Sequence, residues 1–367
     1  MDAAKAVVTG RPILMVTAGG LEHGGGIGRM VGYVVSAWND EVRPSMRVID
    51  TRGPKYQKIL WPLFILRSIF QIAKCAPSQP LLHLHLAANT STLRKVIIAY
   101  VGRLLGLTYL IHLHDPVYGD FYTNLTPWAR SRVKSMFAHA ARVIVLGTPA
   151  AVTVAQVLEV PGERIDIVPN AVPGPEHSRQ DRIDDNNRTE PKIIFLGQLQ
   201  RRKGVGDLID ALSQPEVAAL RWSATFAGGG PDQASYEEQA ARLGLKGRID
   251  FPGWLPEAAV RTLLETADIL VLPSYAEEMA MSVLEGMAYG LCIVCTPVGA
   301  LAEVVTDGVS GLVVSPGDIP GLAAALARCI NDPQLRRHLG SGARQAYLER
   351  YNIVDYPERI AAVYRRA

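Results

Sequence analysis

The stretch Pro273-Ser-Tyr-Ala-Glu-Glu-Met-Ala-Met-Ser-Val-Leu-Glu-Gly-Met-Ala-Tyr-Gly290 decides how the rest of the chain is read. Ahead of it, Ile269 to Leu272 is an uninterrupted apolar run, the pattern of a buried strand, and Pro273 and Ser274 stop it. Two carboxylates follow in a short loop, and a helix of small and apolar residues is expected from about Met281. Glu285 falls inside that helix, flanked by Val283, Leu284, Met287 and Ala288. An ionised carboxylate among such neighbours is costly unless it has a partner or faces a polar cleft. Glu277 follows the C-terminal end of a strand, where α/β folds bind their ligands. A solvated loop glutamate and a helix-surface glutamate are the plainer reading of the same pair.

Outward from this stretch, the second half of the chain alternates strand and helix. Lys192 to Leu196 reads as a strand, Gly197 to Arg202 as a loop, and Gly204 to Leu212 as a helix. Lys203 stands at that helix's N-terminus, where a cation and free N–H groups together suit a diphosphate; a solvated Arg-Arg-Lys run is the alternative. Ser223 to Ala227 is the next strand and ends in Gly228-Gly-Gly230. Ile249-Asp-Phe251 then leads into Pro252-Gly-Trp-Leu-Pro256, and Glu257 to Thr266 is helical. Cys292-Ile-Val-Cys295 has C-x-x-C spacing but lies in a strand-like run. Positions three apart on a strand face opposite ways, so buried thiols are expected there rather than a shared metal or disulfide. Residues 319–367 read as helical, with breaks at Asn331-Asp-Pro333 and near Asn352.

The first half shows the same alternation. Ile13 to Thr17 is a strand, followed by Gly19-Gly20 and His23-Gly-Gly-Gly-Ile-Gly-Arg29, and then a helix over Met30 to Trp38. In a strand, glycine turn, helix unit, backbone N–H groups of the Gly24 to Gly28 loop, Gly25 and Gly26 among them, approach a phosphate or sugar hydroxyl. The spacing is not a clean G-x-G-x-x-G, and a plain loop is the other reading. Between Asp50 and Asp115 no acidic residue occurs, while Arg52, Lys55, Lys58, Arg67, Lys74, Arg94, Lys95 and Arg103 do. Within that interval, Lys58 to Lys74 has an apolar body and cationic ends. It suits an anionic membrane surface with Trp61 and Phe64 as anchors, or else a core-facing helix with Pro62 in its first turn. Leu81 to Leu86 and Tyr109 to Asp115 are strands in which His83 aligns with His85 and His112 with His114. A four-histidine metal site is one reading; structural histidines with only His114 at a cleft is the other.

A chain of 367 residues suggests two domains. A formal net charge of +3, with no basic-aromatic module, argues against nucleic acid. Four scattered cysteines suit a reducing compartment. With no signal-peptide h-region and no apolar run long enough to span a bilayer, a cytoplasmic protein is expected, peripheral at the inner face of the membrane if the basic segment engages it. From 173 to 191 the composition turns polar, so the boundary is placed there. The expected architecture is α/β, with two doubly wound Rossmann-like domains facing across a cleft. Residues 1–173 form an acceptor-side domain, 174–191 a linker, 192–350 a donor domain, and 351–367 a C-terminal helix packing back on the first domain.

The second half resembles glycosyltransferase family 4 enzymes of the GT-B fold along nearly its whole length. The residues carrying the resemblance are Phe195-Leu-Gly-Gln-Leu with Lys203-Gly204, Gly228-Gly-Gly-Pro231, Phe251-Pro-Gly-Trp254, the Glu277 to Glu285 pair in E-x7-E spacing, Thr296-Pro-Val-Gly299, and Glu303 to Gly308 with Gly311 to Val314. The first half is similar more loosely, through the glycine loop, His114-Asp115 and Pro169-Asn170. The resemblance implies a retaining, metal-independent transfer from a nucleotide-sugar donor, with no cofactor. It implies that Glu285 holds the ribose hydroxyls, Glu277 positions the donor sugar, Lys203 and neighbouring Arg202 meet the diphosphate, and His114 lies near the sugar. Trp254 and Leu255 would flank the base, and the run Glu278, Met279, Ala280, Met281, Ser282 and Val283 would line the donor site.

Two positions depart from the family. Gln198 stands where an arginine is usual, which should weaken diphosphate binding unless Arg201 or Arg202 substitutes. Glu278-Met279-Ala280 replaces a Gly-Phe-Gly run, where donor choice is expected to be set. The expected partner is a lipid-linked glycan acceptor in polysaccharide or glycolipid synthesis, with a soluble acceptor or a catalytically silent nucleotide-sugar-binding protein as alternatives.

Overall fold

The computed structural model describes residues 10–21, 25–39, 43–54, 60–175 and 190–367. The chain packs as two units. Residues 1–171 and 353–367 make the first, and 172–352 the second. The C-terminal segment, 353–367, belongs to the first unit. Most of the expected linker, 176–189, lies outside the described residues, as do His23, Gly24, Lys55 and Lys58.

The first unit is built on six parallel strands: β1 (Ile13–Thr17), β2 (Met46–Asp50), β3 (Leu81–Leu86), β4 (Tyr109–Leu113), β5 (Val143–Val145) and β6 (Ile165–Ile167). Their order is β2-β1-β3-β4-β5-β6. Every residue of β1, β3, β4 and β5 is buried. Near-continuous apolar runs of this kind fit strands covered by helices on both faces. The chain runs outward from β1 to β2 and then crosses back to β3, so the topological switch point lies between β1 and β3. The last helix, Tyr356–Tyr364, closes the unit: Tyr364 packs edge-on against Trp38, and Arg366 pairs with the Asp166 carboxylate at 2.7 Å.

The second unit has β7 (Lys192–Leu196), β8 (Ser223–Ala227), β9 (Ile249–Gly253), β10 (Ile269–Leu272), β11 (Cys292–Cys295) and β12 (Leu312–Val313), in the order β12-β11-β10-β7-β8-β9. Here the switch point lies between β7 and β10. Cys292 and Cys295 are both buried thiols, and Cys292 Sγ lies 3.4 Å from Cys329 Sγ on helix Ile319–Asn331, a pairing the C-x-x-C spacing gave no hint of.

Two expectations are corrected. The glycine loop is shorter than its composition suggests, because the helix begins at Gly25 and runs to Ala37. Gly25 and Gly26 are its exposed first residues, and Gly28 is inside it, packed so tightly on Gly20 that a Cβ would meet the Gly20 carbonyl at 2.7 Å. Trp61 and Phe64 are not outward anchors. Helix Trp61–Cys75 buries Ile65, Ser68 and Ile72, and Trp61 and Phe64 are half-buried, the Phe64 ring lying over Gly53. Leu63, Leu66 and Phe70 take the outer face, 59%, 63% and 70% exposed.

Candidate active site

The loops that follow β7 and β10 meet at the switch point of the second sheet, where α/β folds present ligand sites. After β7 the chain passes through Gln198 to a short 3-10 turn, Arg201–Lys203, and Gly204 then opens helix Val205–Ser213 in a left-handed conformation (φ +68°). A side chain at Gly204 would strike the Pro273 carbonyl, with Cβ only 2.0 Å from its oxygen. This close approach brings Lys203 to the loop after β10.

There Lys203 Nζ donates to Glu277 Oε1 at 2.5 Å, and Ser274 Oγ donates to the same oxygen at 2.7 Å. Thr296, just past β11, fixes Ser274 in turn by donating to its carbonyl at 2.5 Å. Gly299 (φ +57°) packs on the other side of this loop, where a Cβ would lie 1.8 Å from the Glu277 carbonyl oxygen, and Ala300 N–H donates to Glu278 O at 2.8 Å. Three loops therefore lock one carboxylate against one ammonium. Arg202 is exposed; its carbonyl accepts from Tyr275 N–H at 2.8 Å and its guanidinium donates to Ala276 O at 2.5 Å. Gln198 is exposed.

Glu277, Glu278, Met279 and Ala280 are buried, and Met281 and Ser282 are half-buried at the start of helix Met281–Ala288. Glu285 is 4% exposed, with Val283 and Leu284 buried beside it. The carboxylate is thus inside the helix's packed face, as its apolar neighbours suggested. Gly228, Gly229 and Gly230 follow β8. Gly228 and Gly230 sit against the Gly197 and Leu199 carbonyls, and the Trp254 indole lies over Gly229, so a Cβ there would be 2.6 Å from its ring. Trp254 is 67% exposed and Leu255 half-buried, which leaves an aromatic face beside a glycine floor.

His114 belongs to the first unit, just past β4, and is half-buried. It ends a stack of four imidazoles. His85 Nδ1 lies 2.9 Å from His114 Nε2, His83 Nε2 lies 3.1 Å from His112 Nδ1, and His83 Nδ1 lies 2.8 Å from the Tyr364 hydroxyl. Within each strand the rings stack, with centroids 4.2 Å apart for His83 and His85 and for His112 and His114. Burial, reinforced by His114, pushes His83 down to about 3, and burial, reinforced by Lys95, does the same for His114. His85 and His112 are held well below the ordinary imidazole range, again by burial first. Among the described residues, His83, His85 and His112 are the group whose ligand atoms approach closely enough for one ion, within 4.8 Å of one another. Their nitrogens are engaged with one another, with Tyr364 and, at 3.3 Å, with Met15 Sδ, apart from His112 Nε2, which is buried with no hydrogen-bond partner among the described residues, and the cation Lys95 acts on His85. A neutral hydrogen-bonded stack accounts for the cluster.

Sequence alone assigned no role to Ser274 or Thr296, although both lie in stretches that it singles out. It also missed the ion-paired state of Lys203 and Glu277, which lie 74 positions apart.

Residues 177–346 match the family model described as glycosyl transferases group 1. The 2-deoxystreptamine N-acetyl-D-glucosaminyltransferase of Streptomyces fradiae is 27% identical over 350 residues, covering 89% of this chain and 82% of that one. The glycogen synthase of Mycobacterium tuberculosis is 32% identical over 181 residues, 49% of this chain and 44% of that one. Among solved structures, HepE of Anabaena in complex with UDP and glucose superposes with a TM-score of 0.75 at 20% identity, covering 96% of this chain and 98% of that one. The fold is that of GT-B glycosyltransferases. The matched model and the named relatives together support a nucleotide-sugar glycosyltransferase.

Proposed function

We propose that the chain is a retaining, metal-independent glycosyltransferase of family 4 that moves a sugar from a nucleotide diphosphate donor to a lipid-linked glycan acceptor at a membrane surface. The observation that carries the reading is the Lys203–Glu277 pair at the switch point, with buried Glu285 on the helix that follows. In this reading Glu285 accepts from the ribose hydroxyls and Glu277 from the donor sugar. Lys203 meets the diphosphate, where negative charge grows as the glycosidic bond to the leaving group breaks. Arg202, held beside Glu277 through Ala276, supplies the charge that Gln198 lacks. Trp254 and Leu255 flank the base over Gly229. Because the leaving diphosphate takes the acceptor proton on the same face, no separate general base is needed. The solved HepE complex with UDP and glucose makes a uridine nucleotide the first donor to try.

The membrane part of the reading rests on helix Trp61–Cys75, whose outer face presents Leu63, Leu66 and Phe70 with Arg67 and Lys74 exposed beside them. Apolar residues at helical spacing flanked by cations complement an anionic interface. Among the described residues, no helix is long and apolar enough to cross a membrane. The Streptomyces relative, named for 2-deoxystreptamine, favours a second reading, the same chemistry on a soluble acceptor.

A thermal-shift panel of nucleotide diphosphates and nucleotide sugars tests the core of the proposal, since a ligand that binds the folded state raises its midpoint. At least one member should raise it, and indifference to all of them refutes the enzyme reading. Product anomeric configuration by NMR checks retention, and undiminished turnover in EDTA checks metal independence.

A further inference from the structure

The loop between β10 and helix Met281–Ala288 keeps its path without the Ser274 hydroxyl. Tyr275 N–H donates to Arg202 O at 2.8 Å, Ala300 N–H to Glu278 O at 2.8 Å, and Thr296 Oγ1 to Ser274 O at 2.5 Å. The Arg202 guanidinium adds a bond to Ala276 O at 2.5 Å. Each of these bonds grips the loop by a backbone group, and none uses the serine side chain. A serine at a turn commonly returns its hydroxyl to a nearby backbone group. Ser274, fully buried, does not. Its Oγ donates to Glu277 Oε1 at 2.7 Å, and among the described residues the hydroxyl makes no other hydrogen bond.

The same oxygen accepts from Lys203 Nζ at 2.5 Å. Oε1 therefore carries both donors, while Oε2 takes no hydrogen bond from the described residues. The two donors are held very differently. Lys203 carries its charge on a long flexible stem, and in the glycosyltransferase reading a diphosphate competes for it. Ser274 has a short side chain on a backbone that Thr296 fixes from just past the neighbouring strand β11. A buried carboxylate that lost its ammonium with nothing in its place would be costly. The Ser274 hydroxyl stays on Oε1 when the ammonium leaves.

We propose that Ser274 is a positioning residue for Glu277: its hydroxyl holds Oε1 while the diphosphate draws Lys203 away, and so presents Oε2 to the hydroxyls of the donor sugar. The sugar role rests on the glycosyltransferase reading; the tie between Ser274 and Glu277 rests on the geometry alone. A carboxylate acts on a sugar hydroxyl only within hydrogen-bond reach, and one released from its partner spreads over several rotamers. A fixed donor on one oxygen selects among them before the sugar arrives, which lowers the ordering cost of binding it. Ser274 touches no substrate in this account and acts through Glu277.

The test has two arms, both on the full chain. The first needs no ligand and compares the thermal midpoints of Ser274→Ala, Lys203→Met and the double variant. Either donor alone still serves Oε1, so the double variant should lose more than the sum of the two single drops. A double variant that fails to fold while both singles fold is the same result. A drop equal to the sum or below it overturns the proposal. The second arm titrates UDP and UDP-glucose calorimetrically. In Ser274→Ala the ratio of the UDP-glucose Kd to the UDP Kd should rise about fivefold or more, the scale of one weakened hydrogen bond. Added to Glu277→Gln, Ser274→Ala should leave that ratio where Glu277→Gln alone puts it; a merely structural serine would weaken both ligands alike, in either background. If UDP binds but the ratio is unchanged in Ser274→Ala, or rises further in the Glu277→Gln background, the proposal is overturned while the donor reading stands. If wild type binds neither ligand, the uridine donor and the sugar role fall together, and the first arm alone then reports the tie between Ser274 and Glu277.

Discussion

Lys203 Nζ and Glu277 Oε1 lie 2.5 Å apart across the switch point of the second sheet, each largely withdrawn from water, with 14% and 7% of their side-chain surfaces exposed. Each is the other's partner before any donor arrives. In the proposed function an incoming diphosphate would draw Lys203 from Glu277 or share it, and the carboxylate released would be available to sugar hydroxyls. The pair would then couple phosphate recognition to sugar recognition.

That coupling predicts opposite effects of two conservative variants. Glu277→Gln removes the competitor for Lys203, so UDP affinity should hold or rise while turnover falls at least about tenfold, because a positioned carboxylate is lost. Its stability should drop by about 3 kcal/mol, the scale for leaving one member of a buried pair alone. Lys203→Met should instead weaken UDP about tenfold or more, with a smaller stability loss, since Ser274 still donates to Glu277. Glu285→Gln should also weaken UDP. Calorimetric titration of UDP with all three variants decides the matter, and equal affinity losses for Glu277→Gln and Glu285→Gln would refute this division of roles.

The glycines around the pair supply a second prediction. At Gly299 a Cβ would lie 1.8 Å from the Glu277 carbonyl oxygen, and at Gly204 one would lie 2.0 Å from the Pro273 carbonyl oxygen, with φ positive at both. Backbone atoms cannot swing aside as a flexible side chain does, so Gly204→Ala and Gly299→Ala must shift the loops that place Lys203 and Glu277. Each should cost about 2 kcal/mol or more of stability and most of the UDP response. Gly247 is the control, having a positive φ but open space around its Cβ position, so Gly247→Ala should keep the UDP response. A normal UDP response in Gly299→Ala would show that the loop packing does not set the site.

Much of this was legible in the residues and some of it was not. Apolar runs such as Ile269 to Leu272 marked their strands because a strand covered on both faces has no polar side to show. Glu285 was legible because a carboxylate inside a small, apolar helix is costly unless something requires it. The glycine loop was misjudged at Gly25, since glycines signal conformational freedom and a helix start also uses it. Trp61 and Phe64 were misplaced because one amphipathic pattern serves a membrane and a core alike. The burial of Ile65, Ser68 and Ile72 and the packing of Phe64 over Gly53 show which side faces in. The four histidines gave their alignment along each strand, but pairing between strands depends on register, which spacing within either strand does not encode.

The outer face of helix Trp61–Cys75 yields a third prediction. Leu63, Leu66 and Phe70 are exposed, so Leu63→Ser, Leu66→Ser and Phe70→Ser together should change the thermal midpoint little. Sedimentation with phosphatidylglycerol vesicles should fall by about tenfold or more, as three apolar anchors are lost. Wild-type binding should weaken with salt, because Arg67 and Lys74 act through screened charge. Equal sedimentation of wild type and variant, or none with wild type, would remove the membrane from the proposed function.

The imidazole stack gives the last prediction, a pH dependence of stability whose sign follows from burial. His83, His85, His112 and His114 all have folded-state values far below the ordinary 6.5, with His83 and His114 at about 3. Between about 6.5 and 3 the unfolded chain binds protons at these positions that the folded chain does not, so stability is full above about pH 6.5 and falls as the pH drops. Each such group costs about 1.4 kcal/mol per pH unit in that window, and four together approach about 5 kcal/mol per unit. A domain of ordinary marginal stability should therefore unfold cooperatively well above the pH at which carboxylates protonate. The measurement is proton uptake on urea unfolding at pH 5.5, where roughly three to four extra protons should be taken up by the histidines of the unfolded chain. Uptake of one proton or fewer would mean that the stack is charged or open to water in the folded protein, and the neutral hydrogen-bonded arrangement of His83, His85, His112 and His114 would have to be abandoned.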